Sequence, residues 1–212
     1  MSKKILLIAG LGAALLTSSQ AMASYGAGDI FTRFGVARVE PKSDNGDLAG
    51  DSLAVDVGTD RQFAFTLGYR FADQLGVELL AAAPFKHDIS LTPTAGGDSI
   101  GASTKHLPPT LVLQYYPLGG TDSRVQPYAG VGVNYTRFSS EKIDIPGAKL
   151  DLESSWGAAG QLGVDLLIND NWALNASAWY MDIDTKAKLN GDNIGKVNVD
   201  PVVVMAGASF RF

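Results

Sequence analysis

Apolar and polar residues alternate with a period of two along several stretches of this chain. The clearest stretch covers residues 62–71, where every odd position is apolar or aromatic and every even position is polar or small. Successive side chains of a strand point to opposite faces, so this pattern predicts a strand with one fully apolar face. The same pattern recurs at the end of the chain, which closes on the aromatic Phe212.

Eight segments carry this alternation or a comparable apolar run, and they predict eight strands. The segments are residues 30–39, 61–71, 75–83, 110–117, 125–138, 154–168, 172–183 and 199–212. Three connections between them are short and contain turn residues. The other four are long and polar, at residues 40–60, 85–109, 139–153 and 184–198.

An even number of strands with alternating short and long connections is typical of a bacterial outer-membrane barrel. We therefore predict an all-β fold, an eight-stranded antiparallel transmembrane β-barrel with short periplasmic turns and long extracellular loops. A soluble lipocalin-like barrel has the same strand number but carries its apolar residues inside. Here the small and charged residues share one parity, and we place that parity inside, with the apolar face against lipid.

Aromatic residues cluster near the strand ends on the short-turn side, which predicts an interfacial girdle at the periplasmic surface. Its predicted members are Tyr69, Phe71, Tyr115, Tyr116, Tyr128, Trp172, Phe210 and Phe212. Ordinary strand preference for aromatic residues is the alternative explanation.

The N-terminus predicts the compartment. Lys3 and Lys4 precede an apolar run at residues 5–16, and Ala21-Met22-Ala23 follows as a small-residue cleavage site. This is the pattern of a secretory signal peptide at residues 1–23, which leaves residues 24–212 as a single barrel domain. The chain has no cysteine and a net charge of −5, without a clustered basic stretch. Its composition therefore indicates no disulfide framework and no nucleic-acid partner.

Several segments carry a resemblance to a known family over the whole mature length. They are GVELLAAAPFKHDI from Gly76, HLPPTL from His106, PYAGVGVNYT from Pro127, SWGAAGQLGVDLLIN from Ser155 and WYMDIDT from Trp179. The chain thus resembles the OmpW family of small bacterial outer-membrane barrels. The resemblance implies eight strands, a hydrophobic interior passage and a role in passing small apolar molecules across the outer membrane of a Gram-negative cell. It also implies that Phe212 is the C-terminal aromatic that the outer-membrane assembly machinery recognises.

The interior of an eight-stranded barrel is filled by side chains or holds one small ligand, which argues against an open porin. Parity places the large apolar Leu80 and Trp179 inside, toward the long-loop end. We interpret them as a hydrophobic constriction, which blocks water and ions by dewetting. Val203 and Met205 also face inward and extend the apolar lumen. The alternative is that these side chains only fill the barrel as a packed core.

Polar residues are predicted to line the lumen below this constriction. They are Arg33, Gln62, Arg70, Glu78, Gln126, Gln161, Asp165 and Arg211. Charges in such a place pair with one another as a structural network, so we assign them no catalytic role.

A polar lower lumen is a poor path for an apolar solute, so a lateral exit is the alternative. Pro84 ends the third predicted strand, and Pro108 and Pro109 precede the fourth. Proline cannot donate to a strand ladder, and these residues therefore predict a lateral opening into the bilayer. The alternative is that these prolines only end the strands.

The sequence predicts no cofactor and no firm metal site. His87 and His106 flank the second long connection, but two histidines without a third ligand make a weak site.

Three functions remain in competition. The first is a passive channel for small hydrophobic solutes, with outer-membrane lipid and the assembly machinery as its other partners. The second is a receptor-type barrel whose loops bind phage or other partners. The third is an enzyme, which the absence of a nucleophile motif disfavours.

Overall fold

The computed structural model describes residues 25–212, and the predicted signal peptide lies outside them. The described chain contains fifteen strands, and no helix in it is long and apolar enough to cross a membrane. The strands are β1 (Ile30–Glu40), β2 (Asp47–Leu48), β3 (Leu53–Val57), β4 (Asp60–Ala72), β5 (Leu75–Ala82), β6 (Phe85–Pro93), β7 (Ile100–Leu107), β8 (Thr110–Tyr115), β9 (Val125–Ile143), β10 (Leu150–Leu152), β11 (Ser155–Leu167), β12 (Trp172–Met181), β13 (Asp184–Leu189), β14 (Asp192–Asn198) and β15 (Val202–Arg211).

Eight of these strands form a closed antiparallel barrel, as predicted. The order around it is β1-β4-β5-β8-β9-β11-β12-β15, and β15 pairs with β1 to complete the circle. Each barrel strand matches one of the eight segments that the alternation predicts. The turns β4–β5 and β11–β12 are short, and β8 joins β9 through residues 116–124.

The faces of the barrel follow the predicted parity. Outward side chains are apolar and exposed, with Leu162 67% and Trp156 73% accessible. Inward side chains alternate with them and are buried. Exposed apolar side chains on a continuous outer face fit a lipid environment and not water. The prediction that the apolar face of the barrel strands is the outer, lipid-facing one is therefore confirmed.

Two aromatic residues of the predicted girdle lie elsewhere. Tyr116 and Tyr128 point into the lumen and are buried, so their assignment to the girdle was wrong. Both have the even number that parity places inside on their strands. The periplasmic end keeps an outward aromatic cluster in which Phe210 contacts Trp172 and Phe212.

The four long connections extend the barrel as a second sheet at the extracellular end. Its strand order is β10-β13-β14-β2-β3-β6-β7-β9. The 19-residue β9 belongs to both sheets, because its first part pairs with β8 and its last part with β7. We call this second sheet the extension. Most of its inward residues are apolar, with two histidines and two threonines, Thr104 and Thr185, among them, so the lumen of the barrel continues into it.

Candidate functional site

The upper lumen and the extension enclose one contiguous apolar cluster. The four residues predicted for the constriction and the apolar lumen, Leu80, Trp179, Val203 and Met205, are all buried members of it. Trp179 and Val203 are direct neighbours across the β12–β15 pair. The structure therefore brings these four side chains into one region, where β5, β12 and β15 converge on the interior.

Trp179 is the bulkiest fully buried side chain of the described residues, with 1% of its surface accessible. Its indole Nε1 is buried without a hydrogen-bond partner. A buried donor without a partner costs free energy, so this group is open to a polar atom that comes within its reach.

The cluster continues upward to a pair of stacked histidines in the extension. The rings of His87 and His106 are parallel to within 17° at 4.7 Å, and Phe85 and Phe138 flank His106. Burial lowers the pKa of His106 to about 3 and also lowers the pKa of His87. Both rings are therefore neutral at physiological pH and belong to the apolar lining.

The histidine pair lines a small, partly enclosed cavity. The cavity measures about 20 Å³, room for roughly one water molecule. His87 hydrogen-bonds the Gly58 carbonyl through Nδ1 at 2.5 Å, and its Nε2 is buried without a partner. Among the described residues, no third metal-ligating side chain joins the two histidines.

Below the apolar cluster the lumen is filled by a buried polar network centred on Arg33. Its guanidinium holds Asp165 with two hydrogen bonds, Nε–Oδ1 at 3.1 Å and Nη2–Oδ2 at 2.6 Å, and also pairs with Glu78. All three side chains are at least 99% buried. Charges in such surroundings are tolerated only when they are paired and fully hydrogen-bonded.

Neutral side chains complete this network, and sequence reasoning missed four of them. Gln114 donates to both Glu78 and Gln161, at 2.5 and 2.7 Å. The other missed members are Tyr116, Tyr128 and Asn175. All four occupy inward positions, so strand parity alone would have identified them.

Three residues predicted for the network have other principal partners. Arg70 stacks on Tyr116 at 3.9 Å and reaches the network through that ring instead of a carboxylate. Arg211 pairs with Asp29 at 3.2 Å, and Gln126 donates to the Ser123 carbonyl at 2.9 Å.

Gln62, which the sequence placed below the constriction, lies near the extracellular end of β4. There it donates to Asp60. β4 begins at Asp60 at the extracellular end and runs toward the periplasmic end. Its residue Thr66 is the cross-strand partner of Leu80, so Gln62 lies closer to the extracellular end than Leu80 does. Its predicted place in the lower lumen was wrong.

The periplasmic mouth of the barrel is closed by the segment that precedes β1. Tyr25 is buried between the guanidinium groups of Arg70 and Arg211, at 4.9 and 5.3 Å from its ring. Its hydroxyl lies 3.4 Å from Asp165, and its carbonyl accepts from the Gly120 amide. The network and this seal together fill the lower lumen.

The three prolines predicted for a lateral opening flank a break in strand pairing. The β5–β8 ladder ends at Leu80 and Thr110, and the β6–β7 ladder begins at Phe85 and His106. Pro84 lies on one side of this break, and Pro108 and Pro109 lie on the other. The far side of the Pro109 strand remains paired, because the Tyr135 amide donates to the Pro109 carbonyl at 3.0 Å.

Comparisons with known proteins agree with this architecture. The sequence model of the OmpW family matches residues 26–212. Outer membrane protein W of Salmonella typhi is 44% identical over 213 residues, which cover 97% of this chain and 98% of the relative. The crystal structure of the outer membrane protein OprG from Pseudomonas aeruginosa superposes with a TM-score of 0.81 at 42% identity, over 89% of this chain and 98% of that one. A more distant relative, the dibenzothiophene metabolism operon protein PahQ of Pseudomonas aeruginosa, is 26% identical over 164 residues, 75% of each chain.

Proposed function

This chain belongs to the OmpW family of outer-membrane barrels, and from that premise we propose that it passes small hydrophobic molecules across the outer membrane. Its location in the bacterial outer membrane follows from its family and from its structural relatives. We further propose that residues 1–23 form the signal peptide that directs it there. We also propose that the outer-membrane assembly machinery recognises Phe212, whose side chain is exposed. Residues 24–212 then form one barrel domain.

The observation that carries this proposal is the extent of the apolar cluster. Its members extend from the extension, where Phe85 and Phe138 flank the histidine pair, to Trp179 and Leu80. A few buried polar side chains lie among them, namely Thr104, Thr110, Asn134 and Thr185. An apolar solute that contacts the apolar side chains loses no hydrogen bonds, whereas water and ions lose their hydration. The name of the distant relative PahQ places it in an operon for dibenzothiophene, an apolar aromatic compound, which is the kind of molecule that such a path accommodates.

The polar groups that fill the lower lumen support a lateral exit for the solute. Below Trp179 an apolar solute meets the Arg33 network and then the Tyr25 seal, where every displaced polar partner costs free energy. The break between the prolines lies beside the apolar cluster, on the extracellular side of the polar network. We propose that the solute leaves through this break into the outer leaflet, because the bilayer interior is its preferred solvent.

Removing the constriction is expected to weaken binding and uptake. The double variant Leu80→Ala and Trp179→Ala deletes two buried apolar side chains, and loss of their contact area lowers the affinity for an apolar solute by roughly tenfold or more. Uptake of a labelled hydrocarbon by cells that carry wild-type or variant protein measures the effect. The variant Trp179→Phe keeps an aromatic ring but lacks the indole N–H donor. Its comparison with the double variant separates the effect of lost contact area from the effect of a lost hydrogen-bond donor.

The matched control is Trp156→Ala, which deletes an outward, lipid-facing tryptophan of the neighbouring strand β11. It should leave uptake unchanged. Equal uptake and equal affinity in the double variant and the wild type would exclude a constriction at Leu80 and Trp179. Equal uptake by cells with and without the protein would favour the receptor-type alternative, in which nothing passes.

Closing the break between the prolines is expected to stop uptake. The chain has no cysteine, so Ala83→Cys and Pro108→Cys can be joined selectively by a short thiol cross-linker. Cross-linked protein should lose uptake, and a reducible linker should restore it on cleavage. The control pair Val77→Cys and Leu113→Cys joins direct neighbours in the intact β5–β8 ladder and should have no effect. Full uptake through the cross-linked wall would rule out this exit.

A further inference from the structure

Five outward-facing basic side chains lie directly above the apolar band of the barrel. We call them the basic arc, and they are Arg38, Arg61, Lys86, Lys105 and Arg137. On each strand the cation is the first outward position beyond the band toward the extracellular end. Arg38 follows Val36 on β1, for example, and Arg61 lies two residues above Phe63 on β4. β1 pairs with β4, and β6, β7 and β9 are consecutive in the extension. β6 continues the line of β5, the neighbour of β4, and the Lys86 amide donates to Asp60 at the start of β4. The arc is therefore about 20 Å wide at roughly 4.8 Å per strand.

The arc places like charges against each other. Arg38 is the direct cross-strand partner of Arg61, and Lys86 is the direct partner of Lys105. Side chains opposed in this way have Cβ atoms about 4.5–5.5 Å apart, and like charges at that separation destabilise a sheet. Two such pairs side by side are therefore costly unless anions lie between and above them.

Only two cations of the arc have an acidic partner within the described chain. Arg38 pairs with Glu40 at 2.6 Å, and Lys86 pairs with Asp88 at 2.9 Å. Both pairs are exposed, and exposed pairs contribute little to stability and exchange readily with other ions.

The other three cations, Arg61, Lys105 and Arg137, form no salt bridge with any residue of the 25–212 segment. The nearby Asp60 forms no salt bridge with them, and its carboxylate accepts the backbone amides of Arg61 and Lys86 at 2.7 and 2.8 Å. Even with the charge of Asp60 counted beside those of Glu40 and Asp88, the five cations exceed the adjacent carboxylates by two. The arc therefore carries more positive charge than the protein neutralises.

The opposite side of the barrel lacks this feature. On β11, β12 and β15 the corresponding positions above the apolar band are Ser154, Asp182 and Asp200. Asp200 is paired there with Lys42 at 2.9 Å, so this side carries no row of cations at the level where lipid headgroups meet the wall. The basic side includes the break between the prolines, since Lys86 lies two residues beyond Pro84 and Lys105 lies three residues beyond Pro108 toward the extracellular end.

We propose that the basic arc binds the phosphate groups of outer-leaflet lipids. Its height at the edge of the apolar band is the height of the headgroups, and a row of five cations can engage several phosphates at once. Guanidinium groups bind phosphate with two parallel hydrogen bonds, which Arg61 and Arg137 can each provide. The bound phosphates relieve the repulsion between the opposed pairs. This inference holds whether or not a solute passes through the lumen.

Binding of a phosphorylated lipid in nanodiscs tests the proposal. The full-length barrel is reconstituted in phosphatidylcholine containing a minor share of bisphosphorylated lipid A, and native mass spectrometry counts the lipid A bound per protein. The triple variant Arg61→Gln, Lys105→Gln, Arg137→Gln should bind lipid A roughly a hundredfold more weakly, at about fivefold for each cation removed. The charge-keeping variant Arg61→Lys, Arg137→Lys should retain most of the binding.

The matched control removes three exposed lysines of the extension, by Lys142→Gln, Lys149→Gln, Lys186→Gln, and should bind lipid A like the wild type. Equal binding by the triple variant and the wild type would refute the proposal, as would equal binding of lipid A stripped of its phosphates. Displacement of lipid A by millimolar inorganic phosphate would also overturn it, because the arc would then be a site for free anions. Resistance to such displacement supports a lipid.

Discussion

Replacing Arg33 by methionine is expected to lower the free energy of unfolding by about 3–5 kcal/mol. The side chain is completely buried and is the cation that directly contacts both Glu78 and Asp165. Without it the carboxylates of Glu78 and Asp165 remain buried in the lumen without an ion pair. Urea unfolding of the protein in lipid bilayers, followed by tryptophan fluorescence, measures the change.

Two further variants distinguish the charge effect from a packing effect. Arg38→Met removes an exposed arginine of the same strand and should change stability by no more than about 1 kcal/mol. The triple variant Arg33→Met, Glu78→Gln, Asp165→Asn removes all three charges and should recover most of the loss, because no buried charge is then left without a partner. If the triple variant is as unstable as Arg33→Met, the network does not act through its charges.

Replacing Gly35 by alanine is expected to lower the free energy of unfolding by about 1–3 kcal/mol. Gly35 faces Gly207 across the pair β1–β15. A Cβ at position 35 would overlap the carbonyl oxygen of Ala206, and one at position 207 would overlap that of Phe34. Backbone atoms cannot move aside as a flexible side chain can, so the two strands would have to separate.

Gly160→Ala is the matched control for this substitution. Gly160 lies in β11, and a Cβ there meets no atom within 4 Å. Alanine has less conformational freedom to lose in a strand than glycine, so this variant should be neutral or more stable by up to about 1 kcal/mol. Unfolding in urea compares the two proteins directly. Equal stability of Gly35→Ala and Gly160→Ala would mean that the close approach of β1 and β15 is not needed for the fold.

The barrel itself was predictable because each strand carries its own information. In β4, Phe63, Phe65 and Leu67 alternate with Ala64 and Thr66, and this alternation alone assigns a lipid face and a lumen face. The extension was missed although β6 carries the same signal. Phe85, His87 and Leu91 are buried there and alternate with polar neighbours. The length and polarity of the connection led to its interpretation as a loop.

The partners within the lumen could not be predicted in the same way. Parity places Arg33, Glu78 and Asp165 inside, but their strands are not all adjacent in the wall. Which of them meet depends on the stagger of the strands around the barrel, which no single strand encodes. The same limit explains Gln62, whose inward position was right and whose height was wrong.

The pairing of β1 with β15 also has a consequence for how the protein forms. These are the first and last strands of the described chain, and their pairing joins residues about as far apart in sequence as the chain allows. Contacts between residues so far apart in sequence form slowly. The chain loses the conformational entropy of closing a loop of nearly its whole length before these contacts stabilise it. A chain that lacks β15 would present two unpaired edges, on β1 and on β12, and would be prone to aggregate.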